Sequence, residues 1–475
     1  MKGRVAAWIF WCLLAIALAA VPARCPAGAA EVSEQTARGN RPRRVEWFAR
    51  LGFGIFIHWS VDSQIGSVIS HSLVGADEDY CRRYFKELPK TFNPKQFDPD
   101  AWADLFKLAG ARYVVFTAKH HSGFCMFETA TTDFKITATP YGKDATGQVI
   151  EALRKRDIAV GLYFSPDDFW FLHRQGTTIA RRRPGVTPQE NPALMKYDRA
   201  QIRELLTKYG PIDIFFIDGP AEGLRELCWE LQPDIVVTRG AMKTPEQHIP
   251  GVPSKDPWET CITMGTQWQY KPTNESYKSG GELIEMLIET RAKGGNLLLN
   301  VGPRPDGVIP IQQEARLREI ALWTFINGEA VYGVEPWIVP AEDNVWLTRK
   351  RGENTVYAVI TRPDWKWGQR REITLGSVKA VAKTTVEIVG QSGKVLEYQP
   401  NADPGARWTQ DEAGLHISAM RAQRIYNDRK WPGPVVIRVT DAHPALEPPI
   451  VVTRGAKAAG RGEVTFSGEV VALGK

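Results

Sequence analysis

Ile212-Asp213-Ile214-Phe215-Phe216-Ile217-Asp218-Gly219 is an apolar run that ends in a carboxylate. Pro211 before it and Gly219-Pro220 at its end are turn formers, so the run reads as a strand buried on both faces of a parallel sheet. Barrels and open α/β sheets keep their chemistry at the carboxyl ends of such strands. Taken alone, Asp218 serves equally well as a cap for the turn or helix that follows. Its company decides between the two readings, because several other strand-like runs end the same way.

Those runs lie at residues 53–59, 113–119, 159–165, 235–239 and 296–301, and helical patterns at 98–108, 146–156, 200–208 and 281–293 alternate with them. The alternation predicts βαβ units and, over about 280 residues, a (β/α)8-like barrel with fewer than eight clear repeats. Beyond Trp337 the pattern changes to short alternating strands at 355–361, 384–389, 415–419, 435–439 and 464–470. These predict a C-terminal antiparallel β-sandwich. The expected division is a barrel over residues 31–335 and a sandwich over 336–475.

The 475 residues are 43% hydrophobic and 24% charged, the balance of a soluble globular protein. Sixteen Trp and thirteen Tyr supply flat apolar faces that suit cores and sugar platforms alike. The net charge of +6 is spread out, and Arg181-Arg182-Arg183 and Arg349-Lys350-Arg351 read as solvated faces, so no nucleic-acid partner is expected. Lys2 and Arg4, an apolar stretch at 6–21 and Ala27-Gly28-Ala29 predict a signal peptide over residues 1–30. Export to the periplasm or the medium is therefore expected, with no membrane role beyond it. Cys81, Cys125, Cys228 and Cys261 are too few for a disulfide scaffold, and no CxxC pair suggests a zinc-thiolate site.

The chemistry gathers at the strand ends. His58 and Trp59 close the first run, His120 and His121 follow the second, Tyr163 lies near the end of the third, Asp218 ends the fourth and Arg239 the next. Half of the eight histidines fall between residues 58 and 121. Neighbours on a strand face opposite ways, so His120 and His121 are not expected to share a metal ion, and no HxH or HxxxH spacing is present. A GxSxG elbow and phosphate-binding glycine loops are absent too. A carboxylate, neutral rings, an arginine and aromatics suit a polyol. Glycoside cleavage needs a second carboxyl group. Glu259, beside the apolar Trp258, is the best candidate, the alternative being an ordinary solvated glutamate.

Gly54-Ile55-Phe56-Ile57-His58-Trp59, Lys119-His120-His121-Ser122-Gly123-Phe124, Phe216-Ile217-Asp218-Gly219, Trp258-Glu259 and Asn296-Leu297-Leu298-Leu299-Asn300-Val301-Gly302-Pro303 follow in one order. Together, over roughly residues 45–340, they resemble the α-L-fucosidases of glycoside hydrolase family 29. The resemblance implies a barrel with a β-sandwich behind it and a retaining mechanism on fucosylated glycans without metal or other cofactor. It implies Asp218 as nucleophile and Glu259 as acid/base. Sugar contacts fall on His58 and Trp59 of the His-Trp motif, His120, His121 and Tyr163, with Arg239 and Trp268 completing the expected site.

The chain also departs from the family pattern. Ser122 stands where Asp is usual, Ser60 where Gly is usual, and Trp268-Gln269-Tyr270 where Trp-Gly-Tyr is usual. A Glu-Trp-Tyr patch is replaced by the polar segment Ser70–Tyr80, which bears on one wall of the sugar pocket. A hydrolase of a related galacto-configured sugar and a non-catalytic sugar-binding protein on the same fold are the other functions this pattern allows.

Overall fold

The computed structural model describes residues 39–361, 364–425, 433–446, 450–460 and 463–472, the last two ranges as backbone. The signal peptide expected at 1–30 lies outside the described residues. Seven parallel strands form one curled sheet: β1 (Phe53–Ile57), β2 (Tyr113–Lys119), β3 (Ala159–Phe164), β4 (Ile214–Ile217), β5 (Val236–Val237), β6 (Trp258–Thr263) and β7 (Gly295–Val301). Their order is β5-β4-β3-β2-β1-β7-β6. Between the two edge strands, Lys243 and Glu246 make parallel bridges to Trp258 and Cys261, so the segment after β5 lies along the open side of the barrel. The barrel-like fold is as expected. β6 lies outside the strand-like runs of the sequence, and its placement decides the fate of Glu259.

Almost every strand residue is buried because the strands have two apolar faces. Alternate residues divide into two sets. Phe56, Tyr113, Val115, Tyr163, Phe216 and Leu298 fill the barrel interior with the loop-flanking Phe48. Ile55, Ile57, Val114, Phe116, Phe215 and Leu299 face outward and pack under the helices. This is the period-two alternation of a strand, with oil on both sides. The covering helices start at side-chain caps. Asp98 accepts from the Ala101 amide, Asp144 from Gly147 and Asn191 from Leu194, and Ser279 forms a capping box with Glu282.

Arg38–Lys475 form one compact unit. Val386–Ile388, Val435–Val439, Val356–Ile360, Val345–Lys350 and Val334–Glu342 make a five-stranded antiparallel sheet, in that order. Arg370–Leu375, Gly414–Met420 and Arg407–Asp411 make a three-stranded one. The five-stranded sheet is tied to the barrel through the helix Ile311–Asn327 and the turn after it: Trp323 donates to the Pro434 carbonyl at 2.8 Å, and Arg438 pairs with Glu329 at 2.8 Å. Cys81, Cys125, Cys228 and Cys261 are buried free thiols. Among the described residues no helix is long and apolar enough to cross a membrane.

Candidate active site

β2 ends at Lys119, and the chain turns at once: the Gly123 amide returns to the His120 carbonyl at 3.0 Å. Gly123 has φ +85°, and a Cβ there would meet Asp168 Oδ1 at 2.2 Å, so the turn has room for no other residue. Two neighbours therefore leave the strand alternation, and the His120 and His121 rings stand 4.2 Å apart at one mouth. The expectation that they face opposite ways is corrected, because they lie in a turn and not on the strand. Lys119 braces the turn from behind, buried between Asp168 at 3.0 Å and Asp198 at 2.9 Å.

His58 follows β1, and its Nδ1 meets Asn300 Oδ1 at 2.6 Å. The Asn300 amide nitrogen is committed to the Trp268 carbonyl, so its oxygen must accept and His58 Nδ1 must carry the proton. His121 is fixed by the same logic. Ser165 donates its hydroxyl proton to the Asp167 carbonyl and so accepts from His121 Nδ1 at 2.5 Å. Both rings are left with Nε2 as an acceptor. Burial pushes His58 down to about 4 and holds His120 and His121 well below the usual imidazole range. Neutral imidazoles of this kind suit hydroxyl groups.

Asp218 sits one residue past β4, brought into hydrogen-bond reach of Tyr163 and Arg239. Its Oδ2 accepts from the Tyr163 hydroxyl at 2.7 Å and lies 3.5 Å from His121 Nε2, and its Oδ1 accepts from Arg239 at 3.0 Å. Burial works to raise this carboxyl. The Arg239 and Arg181 guanidiniums and the Tyr163 bond outweigh it and hold the group well below the usual carboxylate range. Asp218 is thus a pre-ionised, oriented carboxylate. The Tyr163 ring stacks on His120 at 5.3 Å, and the half-buried Trp268 leans on His58 at 4.9 Å.

Arg239 also reaches Glu246, a residue outside the expected site. The same nitrogen that serves Asp218 donates to Glu246 Oε2 at 3.0 Å. Because both oxygens accept from one nitrogen at 3.0 Å, they are no more than about 6 Å apart. Glu246 is 44% exposed, open to whatever enters the mouth. Its signal was faint: Lys243-Thr244-Pro245-Glu246 is a polar loop until its bridges to β6 are seen.

Two expected site residues lie elsewhere. Trp59 is fully buried on the outer face, against Phe92, Phe97 and Trp102, and donates to the Arg304 carbonyl. It is core, since the residue after an inward His58 must point outward. Glu259 is the second residue of β6, in register with Asn296 near the start of β7, and bonds to Tyr113, the first residue of β2. It is fully buried at the amino ends of these strands, whereas the mouth is at the carboxyl ends. The expected proton-donor position of Glu259 is corrected on that ground.

His120, His121 and Asp218 each offer one ligand atom within 4.8 Å of the others. A cation held there would face the Arg239 guanidinium and compete with the Tyr163 hydroxyl for Asp218. The donor set fits sugar hydroxyls better.

A family model described as Alpha-L-fucosidase matches residues 21–329. The plasma α-L-fucosidase of Rattus norvegicus is 30% identical over 412 residues, covering 76% of this chain and 85% of that protein. Among solved structures, α-L-fucosidase isoenzyme 1 from Paenibacillus thiaminolyticus aligns with a TM-score of 0.66 at 28% identity, covering 84% of this chain and 98% of the other. The α-fucosidase of Thermotoga maritima, solved in complex with a mechanism-based inhibitor, aligns with a TM-score of 0.65 at 26% identity, over 83% of this chain and 96% of the other.

Proposed function

The chain belongs to the α-L-fucosidase family, and from that premise we propose that it removes terminal α-L-fucose from fucosylated glycans by double displacement, with Asp218 as nucleophile and Glu246 as acid/base. One observation carries the residue assignment: Asp218 and Glu246 share a single Arg239 nitrogen. That shared nitrogen keeps one oxygen of each carboxylate within about 6 Å of the other, compatible with the 5–5.5 Å separation of a retaining pair.

In this reading fucose enters between the stacked Tyr163 and His120 and the Trp268 face. His58 and His121 accept hydrogen bonds from its hydroxyls. Asp218 attacks the anomeric carbon while Glu246 protonates the departing oxygen. Glu246 then draws a proton from water, whose attack releases fucose with its configuration retained. Arg239 holds Asp218 ionised before attack. The mechanism-based inhibitor named for the Thermotoga relative is in keeping with a covalent step. The leader read at residues 1–30 supports export as part of the proposal.

The test is release of nitrophenol from nitrophenyl α-L-fucoside, with the first-formed sugar followed by proton NMR. Initial appearance of α-L-fucose is expected. Initial appearance of the β anomer would mean inversion and overturn the double displacement.

A further inference from the structure

The segment that replaces the family's Glu-Trp-Tyr patch is pinned to the histidine pair. Asp62 is fully buried and accepts from the Ser70 amide at 2.7 Å. Ser70 adopts φ 59°, the left-handed region that a non-glycine residue enters only when its surroundings impose it. In that conformation its Oγ meets His120 Nδ1 at 2.8 Å and accepts from the Ser122 amide at 2.9 Å. Ser122 itself is one of the departures from the family pattern, so two departures meet in one contact.

What this strained corner delivers is the next residue. The His71 ring stands edge-on to His121 at 5.2 Å and to His120 at 6.1 Å. His58, His120 and His121 are at most 4% exposed, whereas His71 is exposed. The charged groups acting on its ring are Arg181, Asp218 and Glu246. The ring lies at the exposed edge of the buried rings, within electrostatic reach of both carboxylates.

We propose that His71 is a substrate-contacting residue that hydrogen-bonds the saccharide on the leaving side of the scissile bond, held there by the contacts of Asp62 and Ser70. The inference rests on the fucosidase reading above. It identifies the polar Ser70–Tyr80 segment as a determinant of which fucosylated sugar this enzyme accepts. A neutral ring can accept from or donate to a hydroxyl of that sugar, and its exposure lets it meet a group that projects from the pocket.

The test compares wild type, His71→Ala and His71→Asn on unactivated fucosyl disaccharides and on nitrophenyl α-L-fucoside, with inhibition by free L-fucose measured alongside. For His71→Ala, kcat/KM on the preferred disaccharide should fall about three- to tenfold, the loss on the nitrophenyl substrate should be smaller, and the thermal midpoint should hold. His71→Asn, which keeps a donor and an acceptor, should recover most of the loss. L-fucose inhibition should change less than disaccharide turnover. An unchanged disaccharide rate, or an equal weakening of L-fucose inhibition, would overturn the assignment to the leaving side while leaving the fucosidase reading intact. A wild-type enzyme that hydrolysed none of the fucosides would overturn the underlying reading and the inference with it.

Discussion

The Tyr113 hydroxyl donates to Glu259 Oε2 at 2.5 Å in the floor of the barrel, where neither side chain reaches solvent. Tyr113 crosses above Gly54, whose missing Cβ would lie 2.4 Å from its ring, and so plugs the amino end of the barrel. Glu259 is therefore a strut of that plug. Its carboxyl lies at the wrong end of the strands to protonate a leaving group, while Glu246 lies beside Asp218 at the mouth.

Replacing each glutamate separates the two roles. Glu246→Gln should lower kcat/KM on unactivated fucosides by about 10²–10⁴-fold, with a smaller effect on nitrophenyl fucoside, whose leaving group needs little protonation. Glu259→Gln should keep turnover within about tenfold of wild type. Steady-state rates on both substrates check this. The opposite ranking would return the acid/base role to Glu259.

Glu259 should also leave a mark on stability against pH. Burial raises its carboxyl from 4.5 to about 7, against the opposing bond from Tyr113. Between those values the unfolded chain releases the proton and the folded chain keeps it. Stability is thus fully present below about pH 4.5 and lost as pH rises towards 7, by on the order of 3 kcal/mol. Urea midpoints at several pH values should fall more steeply across this window in wild type than in Glu259→Gln, which keeps only the contribution of other buried carboxyls such as Asp198. Parallel curves for the two proteins would contradict it.

Asp218→Asn should cut turnover by roughly four orders of magnitude or more, while the fold persists because Arg239 keeps Glu246 as partner. A fluorinated fucosyl fluoride should add a fucosyl mass to the wild-type peptide that carries Asp218, and none to the variant. A label on another carboxylate would displace Asp218 as nucleophile.

The two tryptophans should behave differently. Trp59→Ala empties a fully buried site and should cost about 3–5 kcal/mol of stability. Trp268 is half-buried against His58, so Trp268→Ala should raise KM with little change in thermal midpoint. A Trp59 variant that melted like wild type but bound fucose poorly would place Trp59 in the site after all.

His58 stays neutral until the pH approaches 4. L-fucose inhibition should accordingly hold from pH 8 down to about 5 and weaken as pH nears 4, insofar as His58 governs it. Asn300→Asp sets a negative charge against His58 Nδ1–H, favours the imidazolium and should move that loss to higher pH. An unshifted profile would show that the Asn300 contact does not control the ring.

The barrel, the sheets behind it, and Asp218, His58, Tyr163 and Arg239 at strand ends were all legible in the chain. Each depends on a short local pattern: an apolar run, a period of two, a turn former at the boundary. Such patterns suffice to bring a carboxylate and several rings to one mouth, and the motifs resemble the family to which the chain belongs. Which way a residue points, and at which end of the sheet it lies, is set by neighbours distant in sequence. Only the tertiary structure therefore turned Trp59 outward, folded His120 and His121 onto one side beyond the end of β2, and put Glu259 in the floor. It also brought Glu246 to Asp218 through Arg239, because the segment after β5 runs along β6, a pairing that no local pattern encodes.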